Sequence, residues 1–185
     1  MLPLFAAVLL AAAAPPPPPS APLTVAAARA SQVGRWRGKL EYRDYQADKW
    51  FGLPVTVEVR DGGDGVTQLR VADFDDGPQT GVVRITTASM LLKDGVSESS
   101  VSFRKNRDVE LSTARLTLQP GAGGPNRWTL VSEETGTDDD RPARIRVTTT
   151  RASDTLVALK EVDFTDDAGE RWLVRNRTTL SRVGD

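Results

Sequence analysis

The sequence predicts an all-β protein, an antiparallel up-and-down β-barrel of about ten strands, with a β-sandwich or a partly open barrel as alternatives. From residue 36 onward, apolar and polar residues alternate with a period of two, which is the side-chain period of a strand. Turn-forming residues interrupt this alternation at short, fairly even intervals, and no segment there has a convincing helical period. Short turns favour antiparallel neighbours, and closure into a barrel leaves no strand edge exposed.

The first strand shows the pattern most clearly. Trp36, Leu40 and Tyr42 share one parity, and charged residues occupy the other, so one face is predicted to be buried and the other solvated. The other strands are predicted at residues 53–59, 69–71, 82–92, 101–103, 109–118, 128–134, 145–149, 155–162 and 172–180. Within residues 109–118 the apolar parity switches between Leu111 and Leu116, which predicts a β-bulge.

The N-terminal 30 residues differ in composition from the rest of the chain. Residues 2–14 form an almost unbroken apolar run of signal-peptide length, too short to span a bilayer, and residues 15–19 are all proline. We therefore expect a signal peptide and Ala/Pro-rich leader over 1–30 and one β-barrel domain over 31–185. The predicted location is the periplasm or the medium, without a stable membrane span after processing. The alternative is a cytoplasmic protein with a disordered Ala/Pro tail.

Two missing residue types narrow the chemistry. The chain has no histidine, which removes imidazole base catalysis and the commonest ligand of zinc, copper and haem iron. It also has no cysteine, which removes thiol nucleophiles, disulfides and a lipoprotein anchor. The net charge of -1 gives no basic excess for nucleic acid. We expect no cofactor and no nucleic-acid partner.

Near the start of the first strand, Gly34-Arg35-Trp36 resembles the Gly-x-Trp motif of the lipocalin and wider calycin superfamily. In that superfamily a basic residue of the last strand packs over the tryptophan. The resemblance therefore implies that Arg177 or Arg182 closes the barrel over Trp36, and that the barrel holds a small, mainly apolar ligand. A second lipocalin signature, Thr-Asp-Tyr, is absent, and ten strands are more similar to the fatty-acid-binding branch. The lack of histidine speaks against a haem-binding relative.

Aromatic residues near one rim are the predicted ligand contacts. In a ligand-binding barrel they line or cover the mouth of the cavity. The candidates are Tyr42, Tyr45, Trp50, Phe51, Phe74 and Trp172. The competing interpretation is that aromatics such as Trp36, Tyr42, Trp128 and Trp172 fill a solid core.

Two similar acidic loops lie at the same predicted rim. Their oxygen ligands are of the kind that Ca²⁺ uses, but neither loop has EF-hand spacing, and ordinary turns account for the same composition. The candidate carboxylates are Asp73, Asp75, Asp76, Asp163, Asp166 and Asp167. Four of them, Asp73, Asp76, Asp163 and Asp166, are also the candidates for a carboxylate-dependent enzyme acting on carbohydrate.

The sequence favours an exported, non-catalytic protein that binds a small, mainly apolar ligand in its barrel. The alternative is an envelope or extracellular interaction protein with a filled barrel that acts through its surface loops. A carbohydrate-active carboxylate enzyme comes third. The interior volume separates the first two, because a cavity of a few hundred cubic ångströms or more, lined by Tyr42, Trp50 or Trp172, favours a binder. A filled interior favours the interaction protein. The identity of the ligand and the oligomeric state are left open.

Overall fold

The computed structural model describes residues 22–44, 49–121 and 126–184. Ten strands follow one another along the chain, together with two short helices, α1 (Val25–Ala30) and α2 (Gly77–Thr80). The strands are β1 (Gly34–Asp44), β2 (Lys49–Asp61), β3 (Thr67–Asp75), β4 (Val82–Leu91), β5 (Ser97–Arg104), β6 (Glu110–Pro120), β7 (Arg127–Asp138), β8 (Arg141–Ala152), β9 (Thr155–Phe164) and β10 (Leu173–Arg182).

The ten strands form a closed antiparallel barrel in which each strand pairs with its neighbours in sequence. Closure comes from β1 and β10, whose register runs from Trp36 opposite Arg182 to Tyr42 opposite Asn176. The predicted up-and-down barrel is confirmed. Closure depends on Gly38, since a Cβ atom at this position would lie 1.8 Å from the backbone oxygen of Thr179.

The predicted bulge in the sixth strand is wrong. β6 pairs with β5 from Glu110 to Arg115 and with β7 from Arg115 to Pro120, both in regular register. Leu111 points outward and is 79% exposed, so it is a surface residue and marks no change of parity. The register shift lies in β10 instead, between Val174 and Asn176. An exposed leucine produced the false signal.

Helix α1 closes one end of the barrel, which we call the plugged end. Thr24 caps the helix by accepting a hydrogen bond from the backbone of Ala27. Val25, Ala28 and Arg29 are buried, and the first two belong to the main hydrophobic cluster. The boundary predicted at residue 30 therefore separates side chains that pack together in the barrel. The apolar run at residues 2–14 and the prolines at 15–19, on which the predicted signal peptide and leader depend, lie outside the described residues.

Two tryptophans hold the segment after α1. Trp36 and Trp128, each 1% exposed, lie in the cluster beneath the helix. The indole of Trp36 donates to the carbonyl of Gln32 at 2.8 Å, and that of Trp128 donates to the hydroxyl of Ser31 at 3.2 Å. The buried guanidinium of Arg151 donates to the carbonyl of Ser31 as well. The plug is thus hydrogen-bonded to the wall as well as packed against it.

Candidate functional site

A cavity of about 330 Å³, which we call the main cavity, lies inside the barrel next to α1. Every one of the ten strands contributes an inward-pointing side chain to its wall, and Arg29 and Gln32 complete it from the plugged end. Because inward and outward residues alternate along each strand, the ladder register determines which side chains reach this space. The volume lies at the lower end of the range for small-molecule pockets.

The wall of the main cavity is divided by polarity. Its polar side is supplied by β3, β4 and β5 through Gln68, Arg70, Thr87, Ser89, Glu98 and Ser100. The remaining strands supply mostly apolar groups, among them Trp36, Val57, Leu116, Leu130, Leu156 and Leu180. The space therefore offers hydrogen bonds on one side and hydrophobic contact on the other.

Arg29 brings a positive charge to the polar side, and its partners neutralise it. Its guanidinium lies 2.6 Å from the carboxylate of Glu98 and donates to the carbonyl of Val66 and the hydroxyl of Ser89. The amide of Gln68 donates to the backbone carbonyl of Arg29 at 2.9 Å. A buried cation with this many acceptors is a structural group that ties α1 to β3, β4 and β5.

Arg70 lies on the same side without such partners. Among the described residues, none accepts a hydrogen bond from its guanidinium or forms an ion pair with it. Burial lowers the pKa of Arg70 from its ordinary value, since desolvation disfavours the charged form. An arginine nevertheless stays protonated in proteins. The charged groups around the cavity are Arg29, Arg70 and Glu98, so the described wall carries one net positive charge.

Hydroxyl groups add further polar atoms to the wall. Thr87 bonds Ser102 at 2.8 Å, and Ser100 bonds Ser112 at 3.0 Å, so these two are partly engaged. Three more hydroxyls face the cavity from other strands and have no partner among the described residues, namely Ser132, Thr149 and Thr178. These three give the largely apolar side a few hydrogen-bonding positions.

Although the barrel is closed, the ladder between β6 and β7 is short and ends before the far end of the barrel, opposite α1. These strands form six residue pairs, the last being Arg115 opposite Glu133, and the remaining parts of both strands do not pair with each other. A cleft of about 440 Å³, which we call the side cleft, lies there. Ala114 and Ile145 line it, as does Trp172, one of the predicted ligand contacts.

Of the six aromatic residues predicted as ligand contacts, the structure describes five, and none of these five lines the main cavity. Trp172 lies at the side cleft, where the guanidinium of Arg146 is 4.0 Å from its ring centroid. Tyr42 and Phe74 border a separate space of about 90 Å³. Phe51 stacks on Tyr42 at 5.5 Å and is 58% exposed, and Trp50 is also exposed. Tyr45 lies outside the described residues.

The predicted closure residues separate into two roles. The guanidinium of Arg182 lies 5.1 Å from the Trp36 ring centroid and donates to the carbonyl of Val33 at 2.6 Å. Arg177 lies away from Trp36, at 2.8 Å from the carboxylate of Glu41 and over Trp50. Arg182 is therefore the residue of the last strand that covers the tryptophan.

The acidic loop residues mostly contact arginines. Arg84 pairs with Asp73, Arg144 with Asp163, and Arg141 with both Asp166 and Asp167. Asp75 accepts a hydrogen bond from the backbone of Gly77, and Asp76 borders the small space near Tyr42. In the part of the chain that the structure describes, no three acidic side chains form a group that could hold a metal ion.

These ion pairs also bear on the carboxylate-enzyme hypothesis. Hydrogen bonds from arginine lower the pKa of Asp73 and Asp166, and the pKa of Asp163 is lowered first by the backbone N–H of Arg171 and then by Arg144. A glycosidase acid needs a raised pKa instead. The three carboxyls therefore lack the environment of a proton donor.

Sequence reasoning missed Arg29, Gln68 and Arg70. A signal for the last two was present, since they share the parity of Ala72 and Phe74 and therefore point inward with them. Polar residues at inward positions of a strand mark a cavity or a buried network. For Arg29 no strand pattern existed, because it lies in a six-residue helix.

Comparison with known proteins adds evidence on the fold. No protein-family model matches the chain, and no curated protein matches it. The chain is similar to the crystal structure of Rv2717c from M. tuberculosis, with a TM-score of 0.58 and 12% sequence identity over 85% of this chain and 98% of that chain. At that identity the likeness concerns the fold alone. Within the described ranges, no helix is long and apolar enough to cross a membrane.

Proposed function

We propose that this protein binds a small ligand non-covalently in the main cavity and performs no catalysis. The observation that carries the proposal is the cavity itself, about 330 Å³ in volume and lined by both apolar and hydrogen-bonding groups. Ligand pockets typically combine a mostly apolar lining with a small number of placed polar groups. The alternative, an interaction protein with a filled barrel, has less support because the interior is not filled.

The apolar part of the wall supports a ligand with a hydrophobic body. Trp36, Leu116 and Leu130 present side chains from three different strands to the same space. Removing apolar surface from water contributes roughly 25 cal/mol per Å², and this contribution needs no directional match. An apolar ligand body is therefore the part that supplies most of the affinity.

Export belongs to the same proposal and is supported by the apolar run at residues 2–14. The position of α1 limits where the leader can be cleaved. Arg29 and Ala28 are buried in the plugged end, so a processed protein that keeps this barrel must retain the helix. We therefore propose cleavage upstream of Leu23.

A thermal-shift panel tests the binding proposal, because a ligand of the folded state raises its melting temperature by mass action. The panel consists of apolar and amphipathic small molecules. They are tested on the wild type and on two variants in which an alanine is replaced by phenylalanine. Ala158→Phe places a ring in the cavity, whereas Ala88→Phe places the same ring outside, since Ala88 lies between the cavity-lining Thr87 and Ser89. We expect ligands that stabilise the wild type and Ala88→Phe but not Ala158→Phe. Equal shifts for both variants contradict binding in the main cavity.

A further inference from the structure

We propose that this protein docks on the surface of an anionic lipid bilayer, through a part of its outer wall at the far end of the barrel. This surface, which we call the docking patch, consists of residues 103–111 and Val82. It combines exposed apolar side chains with a basic turn. The proposal does not depend on a ligand in the main cavity, because the docking patch lies outside the barrel.

Exposed large apolar side chains concentrate at the far end of the barrel. Nine such side chains exist among the described residues, and all but two of them lie at or near that end. The two exceptions, Met90 and Val183, lie at the plugged end. Single exposed apolar residues are ordinary, whereas a concentration of them marks an interaction surface.

Four of these side chains share the outer face of neighbouring strands. Leu111 lies opposite the outward Val101 in the ladder between β5 and β6, and Phe103 and Val109 have the same parity. Val82 begins β4, which pairs with β5, and it is exposed as well. The four side chains therefore form one apolar surface across β4, β5 and β6.

A tight turn between β5 and β6 adds three cations to this surface. The backbone N–H of Arg107 donates to the carbonyl of Arg104 at 3.1 Å, and Asn106 has a φ of 61°. Lys105 and Asn106 therefore lie at the tip of the turn, with an arginine on each side. Among the described residues, none forms an ion pair with these three cations. Residues 103–111 are all exposed, which is the longest exposed run in the described ranges.

Charge at the far end is sorted by position. Residues 104–107 carry a charge of +3, and Asp108 and Glu110 follow them. On the other side of this end, the loops at 138–141 and 164–173 carry mostly carboxylates and expose no large apolar side chain among the described residues. The whole chain has a net charge of -1, so only the local charge of the turn attracts an anionic surface. That attraction turns the acidic loops away from the surface.

The mixture of cations and apolar side chains favours a bilayer over a protein partner. Charged residues, lysine among them, are depleted at the core of protein interfaces. At a bilayer surface the cations contact the headgroups, while apolar side chains beside them enter the boundary of the acyl chains. Phe103 and Leu111 flank the turn and supply the apolar part, and Lys105 and Arg107 supply the part that meets anionic headgroups. Binding of this kind is peripheral.

Vesicle co-sedimentation tests the proposal, with protein purified from its own host compartment. Two kinds of vesicle are compared, pure phosphatidylcholine and an equal mixture of phosphatidylcholine and phosphatidylglycerol. We expect the wild type to bind the mixed, anionic vesicles more tightly, and high salt to weaken this binding. All variants keep the same N-terminal segment, so differences between them report on the docking patch.

Two double variants separate the parts of the docking patch. Lys105→Gln combined with Arg107→Gln is expected to weaken binding to anionic vesicles about 5-fold for each cation removed. Phe103→Ser combined with Leu111→Ser is expected to weaken binding to anionic vesicles about 10-fold or more, because apolar contact is lost. All four positions are exposed, so we expect the melting curves to stay unchanged.

The matched controls change the same kinds of residue at the plugged end. Lys93→Gln combined with Arg127→Gln removes two exposed cations, and Met90→Ser removes an exposed apolar side chain. We expect these controls to bind vesicles as the wild type does. Ala158→Phe is expected to do so as well, because the main cavity takes no part in docking.

Equal binding of the wild type to both kinds of vesicle, or binding to neither, overturns the proposal. A loss in the controls or in Ala158→Phe as large as in the patch variants overturns it too. Self-association that Phe103→Ser combined with Leu111→Ser abolishes, measured by analytical ultracentrifugation, assigns the patch to a second copy of this chain and contradicts a lipid surface. The thermal-shift panel contains no vesicles, so it decides the ligand-binding proposal separately.

Discussion

At the scale of single residues, arginines organise the plugged end of this barrel. Arg29 joins α1 to Glu98, Arg151 donates to the carbonyl of Ser31, and Arg182 covers Trp36. Arg29 and Arg151 each donate to more than one acceptor, and Arg182 combines one hydrogen bond with its contact on the indole ring. A lysine, which carries a compact point charge without the planar fork of donors, is less suited to such contacts. The segment after α1 is therefore held by specific hydrogen bonds in addition to burial.

Replacing Arg29 tests this arrangement. Arg29→Met keeps much of the volume but leaves the partly buried Glu98 without its countercharge, so we expect a loss of about 2 to 4 kcal/mol in the free energy of unfolding. Urea titration followed by circular dichroism measures it. The matched control is Arg60→Met, which breaks an exposed ion pair with Glu58 and is expected to change stability little. Equal effects of the two substitutions contradict a structural role for Arg29.

Gly38 tests barrel closure at one position. An added methyl group would meet the backbone oxygen of Thr179 at 1.8 Å, so β1 and β10 would have to separate. We expect Gly38→Ala to cost about 3 kcal/mol or more in the free energy of unfolding, or to prevent folding. Gly136→Ala is the control, because its nearest contact is a flexible Ile145 methyl at 3.7 Å. A Gly38→Ala protein as stable as this control contradicts the close approach of the two strands.

At the scale of elements, two hairpin turns use the same device. Asp64-Gly65-Val66-Thr67 joins β2 to β3, and Asp94-Gly95-Val96-Ser97 joins β4 to β5. In each, one aspartate oxygen accepts from the backbone N–H groups two and three residues later, and the other accepts from the hydroxyl three residues later. The glycine in each has positive φ, which suits a residue without a side chain. The repeated pattern links sequence directly to turn geometry.

The turn at Asp64 predicts a dependence on pH. Hydrogen bonds from Thr67 and then from Val66 lower the pKa of Asp64 from 3.8 to about 2. A lowered pKa in the folded state gives stability that is present above pH 4 and is lost as pH falls towards 2. We expect Asp64→Ala to be less stable than the wild type at pH 7, with a difference that shrinks between pH 4 and pH 2. Urea titrations across this range measure it.

The control for that titration is Asp108→Ala, which removes a loop carboxylate that makes no side-chain hydrogen bond within the described residues. Its stability is expected to follow the wild type at each pH. If the stability difference between Asp64→Ala and the wild type stays constant down to pH 2, the ionised carboxylate of Asp64 is not the source of that difference.

The side cleft belongs to the same scale, because it arises where β6 and β7 stop pairing. Thr113 lines it from the outer face and is exposed. If ligands enter by this opening, Thr113→Trp narrows it and slows association and dissociation together while the dissociation constant changes little. Stopped-flow fluorescence with a ligand found in the thermal-shift panel measures both rates. Unchanged rates place the route of entry elsewhere.

At the scale of the whole molecule, the period of two was sufficient to predict the barrel and all ten strands. It gave a wrong result at Leu111. This leucine is exposed on the outer face of its strand, so its position suggested a change of parity, and hence a bulge, that the strand does not have. It also missed α1, since a six-residue helix shows too few turns for a helical period. The aromatic residues did not locate the main cavity. Its position depends on inward polar residues such as Gln68 and Arg70, whose neighbours across the barrel are set by register over the whole sheet.

Truncation tests the placement of α1 at this scale. A chain beginning at Leu23 retains the buried Val25, Ala28 and Arg29, and we expect it to unfold at the same urea concentration as the chain with residues 1–22. A chain beginning at Gln32 loses the plug and exposes the cluster around Trp36, so we expect a clear loss of stability. Equal stability of the two truncated chains contradicts α1 as part of the fold.

Native mass spectrometry of the protein purified from its own host compartment tests the central claim, a ligand held inside the barrel, most directly. We expect a co-purifying small molecule on the wild type and on Ala88→Phe, and bare protein for Ala158→Phe. Bare wild-type protein, together with no thermal stabilisation across the whole panel, contradicts a ligand-binding role for the main cavity.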